Sequence, residues 1–117
     1  MFVKIDYPAV AFAKYVAQVP SETTEELQAV ASQLKGLRVV HINSTETGGG
    51  VAEILQSLVP LSNALGISTE RVVINPPSEF FQVTKRIHNL LQGAPGSLSA
   101  QELKVYFGSI EDVAAEF

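Results

Sequence analysis

A β-branched, apolar hexapeptide, Leu37 to Ile42 (LRVVHI), leads through Asn43 to Gly50 (NSTETGGG) into a long apolar stretch that begins Val51-Ala52-Glu53. This order constrains the fold more than any other feature. A short β-branched run with little alternation reads as a strand buried on both faces. The segment after it is rich in turn formers and continues neither a strand nor a helix. Val51 to Leu65 (VAEILQSLVPLSNAL) has apolar residues on nearly every side, so it reads as a helix packed between layers, bent at Pro60 and stopped by Gly66. Strand, glycine loop and helix in this order form the unit from which parallel α/β sheets are built, with right-handed crossovers.

The rest of the chain fits the same alternation. Phe2 to Asp6 alternates as a half-buried strand does, and Pro8 ends it. Ala9 to Val19 reads as a short helix closed by Pro20. Thr23 and Glu26 have capping-box spacing ahead of a helix with Leu27, Val30, Ala31 and Leu34 on one face, and Gly36 is its stop. Arg71 to Ile74 (RVVI) reads as a further strand. Asn75-Pro76-Pro77 breaks it, and Ser78 is placed to cap a helix carrying Phe80, Val83, Thr84, Ile87, Leu90 and Leu91. After Gly93 to Gly96 (GAPG), Ser99 and Glu102 repeat the capping-box spacing. They open a last helix with Leu103, Tyr106, Phe107 and Ile110 inward. The expectation is one α/β unit over 1–117, a partial Rossmann-like domain with a short, mainly parallel sheet flanked by helices.

Composition removes several function classes. Eight basic against twelve acidic residues leave a formal charge of -4, which disfavours a nucleic-acid partner. There is no cysteine, so disulfide and thiolate chemistry are excluded. His41 and His88 lie far apart and make no metal-ligand spacing. Lys4, Asp6 and Lys14 interrupt the apolar N-terminus, and no apolar run approaches a membrane span. The chain reads as a cytoplasmic protein with no membrane partner.

Gly48, Gly49 and Gly50 carry the chemistry. A helix N-terminus presents unpaired N–H groups and the positive end of the macrodipole. Glycine keeps side chains out of an approaching anion's way. In an open parallel sheet this loop lies at the carboxyl end of a strand, where ligands collect. The run is neither GxxxxGK[ST] nor GxGxxG. From the residues alone, an anion site and a tight turn that packs helix on strand are equally good readings. Glu53 falls in the first helical turn, where a carboxylate suits the dipole. Asn43 and Ser44 suit side-chain bonds that organise the turn. Lys85 and Arg86 read as a solvated face, and Phe80 and Phe81 as core.

Val40 to Thr45, then Gly48 to Leu55, then Ser57-Leu58-Val59-Pro60-Leu61, resemble a signature of the trehalose-forming glycosyltransferases. A second run is similar to the same family: Pro77 to Phe81, Val83-Thr84-Lys85, Ile87-His88-Asn89 and Leu91-Gln92-Gly93. The resemblance extends from about Leu34 to Gly93. It implies a retaining transferase of two Rossmann-like domains (the GT-B arrangement) that moves glucose from a nucleotide-diphosphate-glucose to glucose. It places Gly48, Gly49, Gly50 and the Val51 N–H near the donor phosphates. It also raises His41 and Asn43 as sugar contacts, against the plainer reading of His41 as a strand-end residue holding a loop carbonyl. It implies no cofactor, and no metal at the reacting centre.

The family's basic pair and its acidic donor-binding motif belong to a C-terminal domain with no counterpart in these 117 residues. No catalytic residue is therefore assigned, and the chain is expected to be inactive alone. Unpaired sheet edges and open helix faces lead to the expectation of at least a homodimer. The alternatives are a self-associating, non-catalytic module and a small nucleotide- or phosphate-binding domain.

Overall fold

The computed structural model describes residues 2–117. Three strands and five helices follow in the order β1 (Phe2–Ile5), α1 (Ala13–Val16), α2 (Ser21–Ser32), β2 (Arg38–Asn43), α3 (Gly50–Ala64), β3 (Ser68–Ile74), α4 (Ser78–Leu91) and α5 (Ala100–Ala114). The chain divides into two compact units. One is Lys4–Val73; the other is Ile74–Phe117 with residues 2 and 3. The fold is α/β and consistent with a partial Rossmann-like domain. No helix among the described residues is long and apolar enough to cross a membrane.

In the first unit the sheet order is β1-β3-β2, and β2 runs parallel to β3 with Arg38 opposite Ser68 and His41 opposite Arg71. The sheet is thus centred on β3. Thr69, Arg71, Val72 and Val73 are buried there, because a strand with neighbours on both edges is shielded most. The hexapeptide does form a strand, but as β2 it lies at an edge of the described sheet and is at most half-buried, with Ile42 56% exposed. The expectation of burial on both faces is corrected accordingly. β-Branched content reports a preference for extended backbone and does not report which strand has two neighbours.

Helix α3 is anchored to β3 by a reciprocal amide pair. Thr69 N–H donates to Asn63 Oδ1, and Asn63 Nδ2 donates to the Thr69 carbonyl, both at 2.9 Å. Its packed stripe is Ala52, Leu55, Val59 and Pro60. Val51 and Ile54 on the other side are more than 60% exposed, and Leu58 is also open. The helix is covered on one face rather than between two layers. It runs through Pro60, whose missing N–H leaves the Gln56 carbonyl without an intrahelical donor. Gly66, at φ +84°, ends it with both bonds of a Schellman close: Ile67 N–H to Ser62 O and Gly66 N–H to Asn63 O, each 3.0 Å.

Two caps differ from expectation. Helix α2 starts at Ser21, directly after Pro20, so Thr23 already lies inside the first turn. It is Thr24 whose hydroxyl donates back to the Ser21 carbonyl, at 2.8 Å. Pro77, extended at φ -61° and ψ 158°, precedes α4 in the same way. Ser78 becomes the first helical residue, and its hydroxyl turns to the Glu79 carboxylate. Proline holds φ near the helical value, so the backbone enters the helix immediately after it without a side-chain cap. In α2, Ala31 is buried while Leu27, Val30 and Leu34 stay exposed. The expected helix over Ala9 to Val19 is a single turn.

In the second unit α4 and α5 pack together. Phe80 stacks on Tyr106 with ring centroids 5.7 Å apart and planes 7° from parallel, an arrangement that adds about 0.5–1.5 kcal/mol beyond area burial. Phe80 is a core residue, as its sequence context indicates. Arg86 is exposed, as its place on the helix indicates, and it is also paired. Its Nε pairs with Glu102 at 2.8 Å and its Nη2 donates to the Ser97 carbonyl at 2.9 Å. The Ser99–Glu102 capping box forms with both of its bonds, Glu102 N–H to Ser99 Oγ and Ser99 N–H to the Glu102 carboxylate. These bonds, with Arg86 beside them, hold the Glu102 carboxyl below the usual range. The inward face of α5 is Glu102, Val105, Tyr106 and Ser109. Leu103, Phe107 and Ile110 are exposed, so the packed stripe is rotated from the apolar one. Phe2, at the start of β1, stacks on Phe117 with ring centroids 4.7 Å apart.

On the sheet face away from Arg71, Glu70 of β3 takes Lys4 Nζ and Arg38 Nε, both at 2.7 Å, and so ties the strand to both of its neighbours. The Arg38 and Lys4 bonds lower the Glu70 carboxyl to about 2. A carboxyl depressed in the folded state stabilises the fold above its unfolded value, and that contribution is lost as pH falls through the folded one. Wild-type stability in urea is therefore expected to fall between about pH 4.5 and about pH 2 more steeply than that of Glu70→Gln. Equal slopes for the two proteins would mean that the triad contributes nothing.

Candidate functional site

The glycine triplet sits where β2 gives way to α3, on an open surface. Residues 44–50 are all exposed, and a Cβ built on Gly48, Gly49 or Gly50 meets no atom within 4 Å. Gly48 (φ +77°) and Gly49 (φ +84°, ψ 154°) occupy backbone regions that side-chain-bearing residues rarely adopt. Gly49 is the N-cap of α3 and offers no side-chain bond. The first helical hydrogen bond runs from Glu53 N–H to Gly49 O, at 3.2 Å. The N–H groups of Gly50, Val51 and Ala52 therefore precede the intrahelical ladder and form the positive end of α3.

What shapes this loop is a residue read from sequence only as part of a strand. Arg71, on the central strand, is 1% exposed. Its Nε donates to Asn43 Oδ1 at 3.0 Å and its Nη1 to the Tyr7 hydroxyl at 2.7 Å. Its Nη2 donates to the carbonyls of Thr45 and Glu46, at 2.8 and 3.0 Å. All four acceptors are neutral oxygens. Burying a guanidinium costs several kcal/mol unless its donors are satisfied, so these bonds fix Thr45 and Glu46 relative to β3. Asn43 completes the corner by donating Nδ2 to the same Thr45 carbonyl, and Thr45 Oγ1 reaches the Gly48 carbonyl at 3.4 Å. The signal available in sequence was one arginine at the head of the apolar run Arg71 to Ile74, which by itself does not say what it faces.

The expected site residues separate by place. Gly48, Gly49, Gly50 and Val51 are contiguous and open. Asn43 has its amide committed to Arg71 and Thr45, which is the turn-organising role its position indicated. His41 is half-buried, opposite Arg71 in the β2–β3 register. Glu53 occupies the first turn of α3. A cavity of about 280 Å³ lined by Tyr7 to Val10, Pro60, Asn63 and Ala64 lies at the other end of α3 from the triplet. Among the described residues no three His, Cys, Asp or Glu side chains come together as a metal site.

Residues 41–117 match the family described as trehalose synthase, N-terminal domain. The chain belongs to that family. It is 46% identical over 96 residues to a trehalose synthase of Rubrobacter xylanophilus, covering 82% of this chain and 23% of that one. It is 43% identical over 103 residues to a trehalose synthase of Pyrococcus horikoshii, covering 88% and 25%. A trehalose synthase of Thermococcus litoralis is 44% identical over 98 residues, covering 84% and 24%. The chain thus spans about a quarter of the length of these relatives. The family match includes β2 from His41 onward, the glycine loop, α3, Arg71 and both later helices.

The two helix-side glycines are expected to differ in what they do for stability. Gly49→Ala forces a side chain into an unfavourable backbone region and should cost about 1–3 kcal/mol by urea denaturation. Gly50 has helical backbone and open space, so Gly50→Ala should leave stability unchanged or raise it by up to about 1 kcal/mol. A large loss for Gly50→Ala would show that the triplet is needed for packing.

Proposed function

We propose that this chain supplies one wall of the donor cleft of a trehalose-forming glycosyltransferase of GT-B architecture, as a single partial domain over 1–117. In this reading a nucleotide-diphosphate-glucose lays its diphosphate against Gly48, Gly49, Gly50 and the Val51 N–H, and glucose is the acceptor. His41 and Asn43 border the sugar. The observation that carries the reading is Gly50. Neither a positive φ nor a close neighbour calls for glycine there, and glycine at a helix start costs stability relative to alanine. Close approach of a ligand accounts for it. Membership of a family whose relatives are trehalose synthases supports the substrate class.

Amide dipoles preorganised at a helix start stabilise charge as it develops on a leaving diphosphate. Cationic groups from a second domain would supply the rest, so this chain alone forms no trehalose and acts as a cytoplasmic component of a larger site. Addition of UDP-glucose or ADP-glucose should shift the Gly48–Val51 amide resonances. Gly50→Ala should abolish the shifts while the protein stays folded. Absence of any shift at millimolar ligand in the wild-type chain would sink the reading.

Self-association is a second component of the proposal, favoured by the open apolar stripe Val51, Ile54 and Leu58 on α3 and by the edge position of β2. At micromolar concentration light scattering should give at least the dimer mass, and Ile54→Lys should reduce it to the monomer. A clean wild-type monomer would remove this component.

A further inference from the structure

Arg71 is the buried charge that the proposed chemistry does not use. Its side chain rises from the central strand on the face shared with His41 and Thr69. It ends under the backbone of Thr45 and Glu46. It therefore links three things separated in sequence: Tyr7 after β1, Asn43 at the end of β2, and the loop that delivers Gly48 to α3. We propose that Arg71 is a positioning residue for the glycine loop, holding Thr45 and Glu46 so that the Gly48–Val51 amides keep the arrangement that receives a diphosphate. The inference rests on the reading of that loop as a donor-phosphate site.

The geometry gives the role its chemistry. A planar guanidinium directs Nε and both Nη groups to fixed acceptors at once, whereas an ammonium presents one nitrogen. Arg71 spans Asn43 on one side, Tyr7 on another and two successive carbonyls on a third. Lysine at this position would keep the charge and lose the span. Because the loop has no regular backbone ladder between Asn43 and Gly50, these bonds and Thr45 Oγ1 to Gly48 O are what restrain it. Charge and geometry are thus separable by substitution.

The test compares wild type with Arg71→Lys and Tyr7→Phe in the full chain. Two readouts are taken on protein whose β2 and β3 amide spectrum is native: backbone order parameters from amide relaxation at residues 45–48 without ligand, and amide-shift titration with pyrophosphate and UDP-glucose. Arg71→Lys should lower the loop order parameters and weaken ligand binding by about tenfold, the effect of losing one or two hydrogen bonds. Tyr7→Phe keeps the Asn43 and carbonyl bonds, so its loop order parameters should match wild type and its affinity should stay within about threefold. A purely structural role would lower the melting temperature of Arg71→Lys and leave the affinity of the folded protein unchanged; that result, or unaltered loop order in this variant, overturns the proposal. If the wild-type chain binds neither ligand, the donor-site reading fails, and loop order in Arg71→Lys still decides whether Arg71 holds the loop.

Discussion

A single buried guanidinium organises the β2–α3 connection. Loops at the carboxyl ends of strands lack the repetitive hydrogen bonds of helices and sheets, so their shape has to be imposed from outside. Here it is imposed from β3, the strand with neighbours on both sides. Asn63 and Thr69 fix α3 to one end of that strand. Arg71, two residues on, fixes the loop entering α3. Both ends of the βα unit are therefore referenced to one strand, and the glycine triplet inherits its position from it. The arrangement carries a cost: a cation has been taken out of water with neutral oxygens as partners, and removal of any acceptor leaves a buried donor unpaired.

Sequence was most informative where local backbone chemistry decides the outcome. Gly66 and Gly93 end helices with positive φ, and the Ser99–Glu102 box forms both bonds, because each needs only residues within a few positions; α2 instead ends at Ser32, ahead of Gly36. The two misplaced helix starts have one cause. Pro20 and Pro77 already set the entry φ, which outweighs a nearby Thr or Ser. Which side of each helix is covered was less legible. Apolar periodicity identifies residues that gain from burial but says nothing about whether a neighbour is present to bury them. That is why Val51, Ile54 and Leu58 are open while Ala52, Leu55 and Val59 are packed.

The site divides along the same line. The glycine loop and the turn role of Asn43 were readable because they follow from residue type and spacing. Arg71 was not, because its importance lies in contacts across 64 residues to Tyr7 and 28 to Asn43. An arginine in a strand reads equally as an edge cation or a buried clamp until its register is known. The same holds for the partner of Arg86: that arginine is solvated on its helix, as read, and also pairs with Glu102 of the next one.

Charge at the loop has to be judged locally rather than from the whole chain. The formal charge of -4 would repel a diphosphate at long range, but exposed charges beyond about 8 Å are largely screened at physiological ionic strength. Closer in, the fields come from the start of α3, from Arg71, and with opposite sign from Glu46 in the loop and Glu53 in the first helical turn. None of the groups bonded to that guanidinium is a carboxylate, so no ion pair cancels its charge where it lies. By contrast, Arg38 and Lys4 share the single carboxylate of Glu70, and Arg86 pairs with Glu102. The corner thus combines a guanidinium held by dipoles alone with the exposed carboxylates of Glu46 and Glu53, so its local field is set by that balance and not by the formal charge of the whole chain.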